Sequence, residues 1–416
     1  MTGKKILAVT DSFMPDMTMN GIIMKNLLDE IADENHIEMI AVRRSRDDIT
    51  QYKNVKVRYV ETHAFHLNRL RKEVSSASAG IIKTALSMKI CLVRLKSVMQ
   101  RYASPYGLNQ NLIDGIRKAL PERAYRGYYD CIICIGIPFE SFAAVLDLCN
   151  SNISTIITAF QVDDFITAKD ASYPFILLKQ RNKNRKNLAD QFLNSFDRYY
   201  VFESVYQKEA DFFSKYDKAK PIGLPLMVNK RKDRQNKKNR DFINIVYAGS
   251  LTKKERPPQG CLDLLVKSSD RIQIHLYHRG DCDDVINDCC RKYKGKIRNH
   301  GAVSSELSYE AINNADILIS ISTYSGDQIS GKTFDYISTG KPVLFFYYKK
   351  TDRNKMIFDK YQLALCVSLR DRDIESAVKD INDFILCSAG KQAEFEDVCK
   401  MYEDYDPKKI AEVIFD

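Results

Sequence analysis

The strongest constraint on this chain lies near its C-terminal end, between Ala315 and Leu344. An apolar β-type run, Asp316 to Ser322, leads into the small-residue turn GDQIS and then the short helical segment GKTFDYISTG. Gly340 and the Lys341-Pro342 pair stop that segment, and a second β-type run begins at Val343. Strand, loop, helix and strand in this order make one unit of a parallel sheet. A helix entered through a small-residue turn offers free backbone N–H groups and the positive end of a dipole, an arrangement suited to a phosphate.

Two patterns share the loop. Gly326 to Thr333, GDQISGKT, satisfies the P-loop spelling G-x-x-x-x-G-K-S/T. Asp327 and Asp335 also bracket seven residues, which sets one carboxylate on the loop and one on the helix. A P-loop NTPase needs several further parallel strands and an acid ending one of them to hold Mg²⁺. Only about 80 residues follow Thr333, and the next run ends Tyr-Tyr-Lys-Lys. The paired-acid reading is therefore preferred.

With 416 residues the chain predicts two domains of roughly 200 residues each. Its net charge of +10 favours anionic partners: phosphorylated small molecules, an anionic membrane surface or nucleic acid. Eleven cysteines form no spaced framework. Cys131 and Cys134 fall in one β-type run, where positions three apart face opposite ways, so they are read as buried thiols. Cys289-Cys290 lie in a helical segment without a second metal-type pair. This usage predicts a reducing, cytoplasmic setting. The first apolar run is too short for a secretory signal, and no uninterrupted apolar run approaches the ~18 residues of a spanning helix.

From the N-terminus, Lys5 to Thr10 predicts a buried strand, Asp11 to Gly21 a loop, Ile22 to Glu34 a helix and Ile37 to Val42 the next strand. Val55 to Val60 adds a short strand. His63 to Arg126 is strongly basic, and within it Ile81 to Met99 predicts an amphipathic helix. Ile81, Ala85, Met88, Leu92, Leu95 and Met99 share one face, flanked by Lys89 and Lys96, as in a helix lying on anionic lipid. A helix packed on its own domain fits the same spacing. Tyr128 to Ile137 and Ile153 to Phe160 predict strands with a helix, Glu140 to Asn150, between them. Gln161, Asp163 and Asp164 follow the second of these, where carboxylates either meet a ligand or cap a helix. Lys179 to Lys186 is read as a solvated helix face, and Asp197 to Phe202 as a strand.

Asn229 to Arg240 is polar and basic and predicts a linker between domains 1–228 and 241–416. It lacks interleaved aromatics, so no nucleic-acid partner is expected. The second half restarts with a strand, Phe242 to Ala248, ended by Gly249-Ser250-Leu251. Strands Ile272 to Tyr277 and Leu363 to Val367 follow, and a last helix runs from Pro407 to Phe415.

YAGSL, HGAV and SGKTFDYISTGKPV together carry a likeness: the chain resembles the GT-B glycosyltransferases, nearest the retaining family 4 group that builds bacterial surface polysaccharides. The resemblance implies two doubly wound, Rossmann-like α/β domains facing across a cleft, with the last helix crossing back to the first. It implies a nucleotide-sugar donor, UDP- or GDP-linked, on the second domain and a saccharide or polyprenyl-linked acceptor on the first. The enzyme it implies is cytoplasmic and works with no metal and no cofactor beyond the donor; where the helix Ile81 to Met99 meets lipid, the acceptor is expected at the inner face of the cell membrane. By the same resemblance Asp335 holds the ribose hydroxyls, Asp327 meets the donor sugar, and Ser330, Gly331, Lys332 and Thr333 surround the diphosphate. Arg256 and Lys254 neutralise the leaving diphosphate, with Gly249 and Ser250 beside them. Val303 lies by the base, and Gly21 lets the first loop approach the phosphates. Asp163 stands in the acceptor loop where relatives carry His. Both motif acids are Asp where Glu is usual, and Ser250 stands where many relatives have Arg. A catalytically inactive partner subunit and a nucleotide-sugar epimerase share this architecture.

Overall fold

Among the described residues fourteen strands form two separate sheets. The computed structural model describes residues 2–415 apart from 16, 45–48, 77–79, 137–138, 150, 152–153, 167–174, 232–240, 328 and 372. The chain divides into two units: Met1–Pro225 with Pro407–Asp416, and Leu226–Asp406. Of the predicted linker, residues 232–240 lie outside the described residues, while Lys230 and Arg231 belong to the second unit.

The first unit holds β1 (Lys5–Thr10), β2 (His36–Val42), β3 (Gln51–Tyr52), β4 (Val55–Val60), β5 (Cys131–Ile135), β6 (Ile156–Gln161), β7 (Arg198–Phe202) and β8 (Ala219–Ile222). They form one sheet in the order β3-β4-β2-β1-β5-β6-β7-β8, parallel throughout except for the β3–β4 pair. Every residue of β5 is buried, which is why it reads as a continuous apolar run rather than an alternation. Cys131 and Cys134 lie within it as free thiols, and burial pushes Cys131 up to about 11. The last helix, Pro407–Phe415, packs on the helix Met19–Ile31 of this unit. Tyr200 donates its hydroxyl to the Val413 carbonyl at 2.7 Å, and Arg198 donates to that of Ile414 at 3.1 Å.

The second unit holds β9 (Ile243–Leu251), β10 (Ile272–Gly280), β11 (Ile297–Gly301), β12 (Ile317–Ile321), β13 (Val343–Tyr347) and β14 (Ala364–Ser368). Their order, β11-β10-β9-β12-β13-β14, is parallel in every pair. The order reverses between β9 and β12, the switch point where doubly wound sheets hold ligands beyond the carboxyl ends of their strands. Both units are thus Rossmann-like α/β layers.

Several sequence expectations need correction. The first helix starts at Met19 rather than Ile22, because the Thr18 hydroxyl accepts the Gly21 N–H at 3.4 Å and caps the end. β9 does not stop before Gly249: its pairing with β10 continues through Gly249, Ser250 and Leu251 to Gly280. The run Lys179 to Lys186 is a solvated face only in part. It sits in the helix Phe175–Ser195, where Lys183 and Lys186 are exposed but Arg181 and Arg185, four residues apart on one side, are buried. Arg185 donates to the Tyr106 carbonyl at 2.9 Å, and the Arg181 guanidinium lies against Gly107, where a Cβ would fall 1.3 Å from its Nη2. The long stems fill space, and the Arg185 head serves a carbonyl of the Pro105–Gly107 turn.

Candidate functional site

At the switch point of the second unit two segments meet. The turn after β9 carries Lys254 and Arg256, closed by a backbone bridge between Thr252 and Arg256. The loop after β12 carries Ser325 to Ser330. The Tyr324 N–H donates to the Glu255 carbonyl at 2.9 Å and ties this loop to that turn. Arg256 donates through Nη1 to the Ser250 carbonyl at 3.3 Å, and its Nε–H is buried with no acceptor among the described residues. Lys254, Ser250 and Asp327 are exposed, and Gly249 is half-buried.

A buried frame holds the loop. Asp352, fully buried, caps the helix Arg353–Phe358 by accepting the N–H groups of Asn354 at 2.8 Å and Lys355 at 3.2 Å, and its other oxygen accepts from the Ser322 hydroxyl. Asn354 accepts the Ser330 N–H at 2.8 Å and the Thr333 hydroxyl at 2.9 Å. Gly326 takes a positive φ of 67°, and a Cβ there would lie 2.7 Å from an Asp352 carboxylate oxygen. Thr333 is therefore an anchor: its hydroxyl is fully buried and turned toward Asn354, away from any ligand surface. In the P-loop reading that hydroxyl would face Mg²⁺, so the structure argues against it. The helix Gly331–Ile337 has only seven residues. So few aligned peptides make a weak macrodipole.

Asp335 is the best-connected of the predicted residues. One carboxylate oxygen accepts from the Lys230 ammonium. The other lies 3.3 Å from Lys332 Nζ and accepts the Tyr309 hydroxyl at 3.4 Å. Lys230 and Lys332 both lie over the Tyr309 ring, at 5.1 and 4.8 Å from its centroid. Burial pulls the Lys230 ammonium down, but Asp335 and Tyr309 outweigh it and its pKa is raised. Tyr336 connects this cluster to the Arg256 turn. Its buried phenol accepts the Ala248 N–H and donates to the Ala248 carbonyl, both at 3.0 Å. Burial raises the Tyr336 phenol most, and both Asp335 and Arg256 act on it electrostatically. Tyr247, beside Arg256, is pushed up to about 12 by burial against the pull of the guanidinium. Both phenols stay neutral.

The structure thus brings Arg256, Ser330, Gly331, Lys332 and Asp335 to one end of the sheet, with Asp327 on the same loop. Val303 stands elsewhere. Its carbonyl accepts from Arg279 at 3.3 Å, and it lines a cleft of about 580 Å³ with Tyr277, His300 and His275 that includes none of the other predicted residues. Lys230, Tyr309, Asp352 and Asn354 were missed in the sequence. They act through long-range contacts that local spacing does not encode.

Gly21 and Asp163 belong to the first unit. Gly21 is buried in the first turn of its helix, where a Cβ would lie 2.6 Å from the Ser12 carbonyl oxygen, so close packing on Ser12 demands the glycine. Beside it Asp11 accepts the Thr18 hydroxyl at 2.7 Å and the Ser12 hydroxyl at 3.1 Å. Burial raises the Asp11 carboxyl, and Thr18, Ser12 and Arg44 oppose the rise. Gln161 is buried, accepts from Tyr199 at 2.7 Å and donates to the Asp163 carbonyl at 3.0 Å. Desolvation, then Asp164, raises Asp163, whose side chain nonetheless keeps solvent access. Asp164 pairs with Lys208. Among the described residues no three His, Cys, Asp or Glu side chains converge as a metal site.

No family model matches the chain, and no curated protein matches its sequence. Solved structures do match its fold. A lipopolysaccharide outer core galactosyltransferase, WaaB, in its apo form superposes with a TM-score of 0.53 at 13% identity, over 98% of this chain and 99% of that one. Sucrose-phosphate synthase from Thermosynechococcus elongatus gives 0.53 at 12%, over 99% and 95%. HepE of Anabaena in complex with UDP gives 0.54 at 11%, over 99% and 96%. The chain has the GT-B fold. At these identities the likeness concerns architecture.

Proposed function

We propose that the chain is a glycosyltransferase that moves a sugar from a nucleotide-sugar to a saccharide or lipid-linked saccharide in surface-glycan synthesis. The observation that carries this reading is the join between the Arg256 turn and the Asp327–Asp335 segment at the switch point, made by Tyr324 and Glu255. Asp335 receives the ribose hydroxyls, Asp327 the donor sugar, and Lys332, Arg256 and Lys254 the diphosphate. As the bond from the anomeric carbon to the diphosphate breaks, the electron pair leaves with the phosphate and charge grows on its oxygens. The buried Nε–H of Arg256 has no protein acceptor among the described residues, and such a charge would give it one. Pre-placed cations stabilise that charge without reorganisation, and each such contact is worth on the order of 3 kcal/mol in the transition state. This scheme needs no metal and no dedicated protein base, in keeping with a retaining reaction of the family 4 type.

An inverting reaction is the second reading, favoured by one feature: the raised Asp163 carboxyl follows β6 and is suited to accept a proton from an acceptor hydroxyl. Anomeric configuration of the product, read by NMR, separates the two. Titration with nucleotide-sugars in EDTA, followed by transfer assays of Lys332→Ala and Asp335→Ala, tests the assignment as a whole. Unchanged binding and transfer in both variants would remove it. Donor binding without any transfer would favour an inactive partner subunit, and interconversion of the donor sugar an epimerase. If the helix Ile81–Ala103 meets lipid, the acceptor is a polyprenyl-linked saccharide at the inner face of the cell membrane.

A further inference from the structure

The helix Ile81–Ala103 has two apolar faces, and only one is used. Leu86, Ile90 and Val93, spaced three and four apart, are half-buried on the side that packs against the helix His63–Ser76. About 180° away, Met88, Leu92, Leu95 and Met99 form a second stripe at the same spacing, extended by Val98. All five are at least half exposed: Met88 63%, Leu92 64%, Leu95 57%, Met99 63% and Val98 50%. A stripe this long on the surface marks an interaction site rather than scattered exposure.

The charges say what covers it. Between Val74 and Ile113 the chain has no Asp or Glu, while Lys83, Lys89, Arg94, Lys96 and Arg101 all fall there. On the helix wheel, at 100° per residue, Lys89 and Lys96 border one edge of the outward stripe and Lys83 and Arg94 the other. All four side chains are exposed. Long basic side chains on both edges of an apolar stripe can place ammonium and guanidinium groups among phosphates while their stems follow the apolar side chains inward. A second copy of this chain would set basic edge against basic edge. A protein partner would need an acidic rim; a bilayer with anionic headgroups supplies one over any area. Among the described residues no helix is long and apolar enough to cross a membrane, so the helix would lie in the interface plane.

We propose that the outward face of Ile81–Ala103 docks the protein on an anionic lipid surface, with Met88, Leu92, Leu95 and Met99 in the acyl boundary and Lys83, Lys89, Arg94 and Lys96 among the headgroups. The proposal stands apart from the transferase reading, because it uses none of the donor-site residues and its test needs no sugar.

The test is partition of the full chain onto vesicles of phosphatidylcholine alone and of phosphatidylcholine with one third phosphatidylglycerol. Three variants are compared with the parent: Lys89→Glu with Lys96→Glu, Leu92→Asp with Leu95→Asp, and Leu307→Asp as an exposed apolar control outside the stripe. The parent and the control should bind the anionic vesicles and release in high salt. Each basic residue near the surface contributes roughly a fivefold factor, so the charge-reversal pair should lose at least about tenfold in partition. The leucine pair should lose as much on the same vesicles. Thermal melts within a few degrees of the parent show that the variants are folded. Equal binding to both vesicle types, no binding to either, or charge reversal without effect would overturn the proposal. So would a dimer in solution that the leucine pair dissociates.

Discussion

Lys230 and Asp335, 105 residues apart, share a hydrogen bond within the candidate donor site. The lysine comes from the segment just before residues 232–240, and the carboxylate from the second turn of the Gly331–Ile337 helix. Tyr309 donates to the same carboxylate and accepts from the same ammonium, at 3.2 Å, so the three groups close a triangle. Lys332 adds a second cation. Two ammonium groups on one carboxylate leave a net positive site, suited to an anion carrying hydroxyls.

Replacing Lys230 by Ala should therefore be felt. The Asp335 side chain is only 16% exposed, but Lys332 remains as a partner, so the cost should be about 1–2 kcal/mol, between exposed and fully buried pairs. The Lys230 pKa is raised in the fold, so its stabilisation is complete below the ordinary value of 10.5 and fades as pH climbs through the higher folded value. Denaturant melts of parent and Lys230→Ala should show a constant gap from pH 7 to 10 that narrows above. A gap that widens with pH would contradict the pairing.

Thr333→Val removes a buried hydroxyl and keeps the shape. The Asn354 oxygen retains the Ser330 N–H, so the loss should be about 1 kcal/mol of stability. Nucleotide affinity should change less than threefold. A P-loop threonine would behave oppositely, with metal-dependent nucleotide binding lost and stability unchanged. Calorimetric titration with and without Mg²⁺ decides between them.

Gly326→Ala forces a side chain into positive φ and against Asp352. Overpacking and strain together should cost about 2–4 kcal/mol. The displaced loop carries Asp327, so donor affinity should fall together with melting temperature. A fully stable variant would show that the loop geometry is wrong.

Asp11→Ala leaves the Thr18 and Ser12 hydroxyls without their buried acceptor, at about 1–3 kcal/mol. Asp11→Asn should cost less, because the folded state already favours the neutral acid. The raised pKa means that Asp11 contributes most below its ordinary value of 3.8, and that contribution is lost as pH rises through the folded value. Urea melts from pH 3 to 7 should show Asp11→Asn gaining on the parent as pH rises.

Much of the fold was legible because buried parallel strands are written as apolar runs. Lys5–Thr10, Val55–Val60 and the helix Pro407–Phe415 carry the same bounds in sequence and structure. Legibility failed where long side chains turn inward, as Arg181 and Arg185 do within a run of charge. It failed also where pairing outlasts apolarity, as in Gly249–Leu251. In the candidate donor site the loop spacing was visible, but its supports were not. Asp352 and Asn354 are separated from the loop in sequence and are fixed only when β13 folds alongside β12. Lys230 looked like linker because the sequence does not reveal a bond to Asp335. Thr333 was assigned to the diphosphate because the resemblance set it beside Ser330, Gly331 and Lys332, and only the folded chain turns its hydroxyl to Asn354.

The central claim is that the second unit binds a nucleotide-sugar through Asp335 and the Arg256–Lys332 cations. The most direct test is isothermal titration of nucleoside diphosphates and their sugars in EDTA into the parent chain and Asp335→Ala. One nucleoside diphosphate and its sugar should bind the parent without metal, raising stability by about 2.7 kcal/mol at a hundred times Kd, and should bind Asp335→Ala at least tenfold more weakly. Equal affinity in the two proteins, or binding only to ATP or GTP with Mg²⁺, would contradict the account.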